Sequence, residues 1–436
     1  MAKGSGVATG RGLAFTATWP KTAPSGLVPE IDHTLCRLKI LVGGEAVTTY
    51  RTDHGDRGES VEVPAYHLAE WLATNWWALF HEPEKSEEDD PDFRARHWIG
   101  TARNGFALPN MWLIPNGEDI VAEVVETRIS SCRLDFTKDK EWRLPVEEAV
   151  AAAARFIEAT ISRLNAAMLD GTALHDAWSL ITKTGTNERL FCELIGALGL
   201  DPYEERPEIE RVIDAAIDEL GEGLTRELCE AARPERIVTI LEMVRLAFAK
   251  LREGAEVDFS ALPERPPFPQ RAPWEAGKRA ANTLRQTLGV SPDLGAGDAV
   301  LRHLAVDPEA TANVAWKTED IEVQGAIRRE GSKARMALLR REASASRRFA
   351  AARALFLGWG APSGGARLMT DAHTREQQAS RAFAAEILAP IDYVRKAAGR
   401  GPISSFRIKG IAESLHVSPK VIRHQAMNHG IPLAPA

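Results

Sequence analysis

The chain has 436 residues and only four cysteines, Cys36, Cys132, Cys192 and Cys229, none in a CxxC pair. Their separation argues against a structural zinc site and for a reducing compartment. Long hydrophobic runs are missing too. The longest apolar stretches, Val146–Phe156 and Phe349–Trp359, carry charges and fall short of the roughly 20 residues that cross a bilayer. The opening MAKGSGVATGRGLAF lacks the continuous apolar core of a secretory signal. These absences together predict a cytoplasmic protein with no membrane partner. No GxxxxGK[ST] loop, no GxGxxG after a strand, no nucleophile-elbow serine and no local Cys–His motif occurs, and no repeat recurs at a fixed period.

Charge is abundant but unevenly spread. The net charge is −7, yet from Gly325 onward 19 Lys and Arg face 7 Asp and Glu, so the rest is strongly acidic. A basic C-terminal part can contact nucleic acid. It can equally dock on the acidic remainder or present solvated faces.

Along the chain, patterning predicts an α+β, mainly helical protein. Residues 1–29 read as a flexible tail, and 30–144 as a small α+β domain. In it CRLKILVGGEAVTTYR forms a hairpin turning at Gly43-Gly44. Leu68, Trp71, Leu72, Trp76 and Leu79 recur at helical spacing. Pro145, followed by Glu147 and Glu148, opens a helical region over 145–259. Five prolines in SALPERPPFPQRAP, residues 260–273, prevent helix and ladder pairing and predict a linker and domain boundary. The basic stretch Arg328–Arg348, which includes Arg340 and Arg341, reads as a partly amphipathic helix suited to phosphate or to an acidic surface.

Residues 274–436 carry the recognisable motifs. SRAFAAEILAP at 380–390 and the closing IAESLHVSPKVIRHQAMNHGI resemble the ImmA/IrrE family of zinc peptidases, over about residues 274–431. The resemblance implies a zincin-like helical domain that ends in a helix–turn–helix-like pair. The family's His-Glu-x-x-His places two imidazoles on zinc and a glutamate as general base. Aligning Arg348-Phe349-Ala350 with the start of that helix puts Arg353 on the first histidine, Ala354 on the glutamate and Leu357 on the second histidine. None of these three can do the original work. The third ligand, six residues before the phenylalanine of FAAE, falls on Gln377; Glu376 is one position off, and with His373 it forms the remaining metal candidate. No catalytic residue and no cofactor is therefore expected, zinc included. An interior Arg353 calls for a carboxylate, and Glu376 or Glu386 on the next helix is the expected partner.

Two other clusters invite a function. In the closing pair, Lys420, Arg423, His424 and Gln425 lie on the second helix, where a DNA reader would meet phosphates and base edges. As part of the peptidase fold the same pair is merely structural. In the first domain, Arg94, Arg96, His97, Trp98, Arg103 and Phe106 suggest either a ligand pocket or a core network. The leading expectation is a non-catalytic regulatory or sensing protein with a protein partner. The resemblance implies a stress-response, mobile-element or phage-related setting. The alternatives are a DNA-binding regulator using the basic C-terminal half, an active zinc metalloendopeptidase with a non-standard site, and an enzyme with its chemistry in the N-terminal domain.

Overall fold

The computed structural model describes residues 12–20, 28–85, 90–267, 272–308, 312–314, 322–339 and 343–434. Its fold class is α+β and mainly helical, with small sheets between the helices. Two compact units divide at Pro207 and Glu208.

In the N-terminal unit, the Gly43-Gly44 hairpin forms as its sequence dictates. Both glycines take positive φ, and strand Leu35–Val42 turns back onto Glu45–Ala46. Leu38, Ile40 and Val42 point inward. A second sheet is a three-stranded meander of Asn110–Pro115, Asp119–Val125 and Lys140–Pro145. The expected flexible tail contains a strand, Leu13–Thr18, paired with Leu35–Val42. Phe15 and Ala17 of that strand meet the helix Val146–Ala166, with Phe15 and Phe156 ring to ring at 5.2 Å. That helix therefore shares the core of the first sheet. The boundary expected at residue 145 is corrected to 207/208, and the middle helical region divides between the two units.

The C-terminal unit is built on a sheet whose strands run in the order Ala255–Asp258, Lys333–Leu339, Val323–Glu330, Ala366–Thr370. Of the stretch Arg328–Arg348 read as a basic helix, residues 328–339 belong to the central hairpin of this sheet, while Ser344–Arg348 do open a helix. Lys333 and Arg335 point out while Ala334 and Met336 point in, a period of two rather than 3.6. Gly331, at φ +64°, makes the turn. The helix Ser344–Gly360 packs against the sheet, and Arg375–Leu388 packs against that helix. The helix Pro273–Leu288 approaches the latter so closely that a Cβ on Gly277 would stand 2.3 Å from the Ala379 carbonyl oxygen.

The proline-rich segment is not a free linker. Strand Ala255–Asp258, just before it, pairs with Lys333–Leu339, and Phe259 is buried in the core. The Trp359 indole N–H donates to the Pro263 carbonyl at 2.8 Å. Proline prevents regular structure but not packing, so residues 259–265 strap across the 344–360 helix.

Candidate functional site

The 344–360 and 375–388 helices meet the outer strand of the sheet, Ala366–Thr370, around one side chain. Arg353, 1% exposed, is among the largest fully buried residues. Its Nη2 donates to the Gln377 Oε1 at 2.7 Å and to the Thr370 carbonyl at 2.6 Å. Its Nη1 donates to Gln324 Oε1 at 2.8 Å, and Nε to the Ser380 hydroxyl at 3.1 Å. These neutral oxygens satisfy donors that water would otherwise hold. Among the described residues, the carboxylate at ion-pair distance is Asp371, 3.9 Å from Nη1 and partly exposed. Gln324 links the two, accepting from Arg353 and donating its amide to Asp371.

The expected carboxylate partners are corrected. Glu376 binds Arg265 of the strap at 2.5 Å, and that guanidinium lies 4.4 Å over the Phe356 ring. Glu386 is buried and binds Arg285 at 2.8 Å. Its other oxygen accepts from the Ile391 N–H and from Gln425 Nε2 at 3.1 Å. The glutamate of FAAE thus ties together helices 273–288, 375–388 and 419–428.

Leu357 and Ala354 are buried beside Arg353 on the 344–360 helix. A permanently cationic guanidinium, a methyl group and an isobutyl group offer zinc no lone pair, so these residues do not fit the metal. Of the His373 and Glu376 pair, the carboxylate is held by Arg265. Among the described residues, no three His, Cys, Asp or Glu side chains converge.

The outer edge of Ala366–Thr370 is closed by side chains. Gln377 accepts from the Thr370 N–H at 3.2 Å and donates to the Leu368 carbonyl at 2.8 Å. It spans residue 369 as a neighbouring parallel strand would. Arg353 takes the Thr370 carbonyl, and Glu227 accepts from the Leu368 N–H at 2.6 Å. Glu227 also pairs with Arg367 at 2.6 Å. Burial pushes its carboxyl up to about 7, with Arg367 and the Leu368 N–H opposing the shift.

The proposed DNA-facing residues separate. Lys420, Arg423 and His424 are exposed on the helix Pro419–Asn428. Gln425 is buried, with Nε2 also on the Ala389 carbonyl at 2.8 Å. It is a packing residue and not a base reader. His429, half-buried, meets the Trp274 ring edge-on at 5.6 Å. Burial, with Lys278 and Arg395 nearby, holds its pKa down at about 4. Arg340 and Arg341 lie outside the described residues.

In the N-terminal unit the arginine–histidine cluster is a buried network. His97 Nδ1 meets the Leu113 carbonyl at 2.7 Å, and Nε2 meets Glu82 at 3.2 Å. Arg96 clasps Glu82 through two bonds, at 2.7 and 2.9 Å. Burial alone would raise the Glu82 pKa, but the bonds from His97 and Arg96 prevail and hold it down at about 2. Trp98 stacks on Trp112 at 5.9 Å. Nothing local in the sequence marks Glu82, the first residue of the acidic run 82–92, as interior.

No family model matches the chain, and searches of curated proteins and of solved structures found no match.

Proposed function

We propose that residues 274–431 form a degenerate ImmA/IrrE-type peptidase domain, and that the protein acts as a non-catalytic regulatory or sensing module engaging a protein partner. One observation carries this reading. Arg353 and Gln377 fall on the aligned positions of the first histidine and the glutamate ligand, and their side chains meet across two helices at 2.7 Å. Leu357, aligned with the second histidine, is buried one turn further along the same helix. Two of the positions that would hold a metal are joined instead by an arginine–amide hydrogen bond, and the third is an interior leucine. The resemblance implies a setting in stress response or in the control of mobile elements or phage.

The test is to rebuild the ligands. Arg353→His, Leu357→His and Gln377→Glu together should bind one zinc per chain by elemental analysis, and the native chain none at this position. A folded triple variant that holds no zinc would sink the alignment. One zinc per native chain, lost on Glu376→Ala, would favour the metalloendopeptidase with a non-standard site.

A second reading, DNA binding, is supported by the exposed Lys420, Arg423 and His424. Duplex binding that weakens steeply with salt, and further on Lys420→Ala with Arg423→Ala, would favour it. No binding at low salt would remove it.

A further inference from the structure

Within the C-terminal unit, the outward face of the 323–339 hairpin and the helix Ile237–Lys250 enclose a cleft of about 620 Å³. The volume lies in the range of small-ligand sites. Phe248, Arg252, Arg328, Lys333 and Arg335 line it together with Glu256. Register puts Arg328 directly opposite Arg335 on adjacent strands. Like charges in that relation repel, and a sheet gains nothing from them.

The local carboxylates do not balance this charge. Glu256 is shared between Lys333 at 2.6 Å and Arg335 at 2.9 Å. Glu330, opposite Lys333, is the other acidic group in the cleft. Four cations thus meet two anions. Among the described residues, Arg328 has no carboxylate within ion-pair distance; its guanidinium lies 5.4 Å over the Phe248 ring. At that distance the ring face attracts the cation without taking up its N–H donors.

We infer that this cleft binds a nucleotide, with a phosphate held between Arg328 and the Lys333–Arg335 pair and a planar base stacked beside Phe248. A phosphate between Arg328 and Arg335 converts a repulsive cross-strand pair into two charge-assisted contacts. Phe248, which lines the cleft and is only partly buried, offers a base an aromatic face to stack on. The site uses none of the residues around Arg353, and the inference stands whether or not the peptidase reading does.

The experiment titrates the full chain with fluorescently labelled ADP, with inorganic phosphate as competitor and a duplex DNA as a separate probe. Saturable ADP binding displaced by phosphate is expected. Arg328→Ala and Lys333→Ala should each weaken it about tenfold or more, the scale of one lost charge-assisted contact. Because Arg328→Ala removes a like-charge contact, its melting temperature without ligand should not fall. That readout separates loss of a ligand contact from loss of fold. No ADP or phosphate binding by the native chain overturns the inference, as does undiminished binding by both variants. Binding of duplex DNA alone, without ADP, would overturn it in favour of a nucleic-acid backbone site.

Discussion

Replacing Arg353 with methionine keeps most of the side chain's length and removes its donors. Four oxygens lose a partner: those of Gln324, Thr370, Gln377 and Ser380. Gln377 Oε1 keeps the Thr370 N–H, and the Ser380 hydroxyl keeps its own bond to the Gln377 carbonyl. The Gln324 Oε1 and the Thr370 carbonyl are left bare in a dry interior. At about 1–3 kcal/mol for each stranded buried acceptor, Arg353→Met should cost about 4 kcal/mol, a large part of a domain's stability. Adding Gln324→Met should return part of that loss, because removing both partners of a buried bond is cheaper than removing one. The double-mutant coupling should therefore exceed about 1 kcal/mol, as for residues in direct contact. Urea unfolding measures the totals. Hydrogen exchange at Leu368 and Thr370 reports whether the loss is local to the strand edge. An Arg353→Met chain within about 0.5 kcal/mol of native, the usual range for surface changes, would refute the buried knot.

Two buried carboxylates should tilt stability in opposite directions with pH. Glu227 has a pKa raised to about 7, so its contribution is full below its ordinary carboxylate range and is lost as pH rises through 7. Glu227→Gln should flatten that slope in urea titrations; an unchanged slope would place the group in water. Glu82, held down at about 2, contributes stability above the ordinary carboxylate range that is lost as pH falls toward 2. Glu82→Gln should remove that acid sensitivity while costing about 3–5 kcal/mol near neutrality, because His97 and Arg96 lose their anion. Gly277→Val should destabilise the C-terminal unit by about 3 kcal/mol or more, since backbone rather than a movable side chain blocks the space; a melting temperature equal to native would contradict the helix contact.

Local patterning carried much of the fold. Gly43-Gly44 announced its hairpin, and the closing helices 405–414 and 419–428 lie where apolar spacing and Pro419 put them. The errors have physical causes. In 328–339, Met336, Leu338 and Leu339 among basic residues suggest an amphipathic helix, although Lys333 and Arg335 alternate with Ala334 and Met336 beside a glycine turn. At 260–273 the prolines predict a linker, yet the Pro263 carbonyl and Arg265 each have a partner on the 344–360 helix or beside it, as does the preceding Phe259. At the site, the carboxylate partners expected for Arg353, Glu376 and Glu386, are held by Arg265 and Arg285 instead. Charge-pairing logic looks for carboxylates, whereas amide, hydroxyl and carbonyl oxygens from four residues do most of the work here. No one-dimensional pattern marks such a set, because its members lie on three separate elements.

The Ala366–Thr370 strand is hidden by side chains alone on its outer flank, and this governs how the protein can be cut. A fragment begun after the prolines would lose both Glu227, which takes the Leu368 N–H, and strand 255–258, which borders Lys333–Leu339. Unpaired backbone would then appear at Leu368 on one margin and along Lys333–Met336 on the other, the usual template for chains to add to one another. Such a fragment should aggregate where one begun before residue 208 stays dispersed. The helix carrying Glu227 thus works as a sheath for a strand whose Leu368 lies 141 positions downstream.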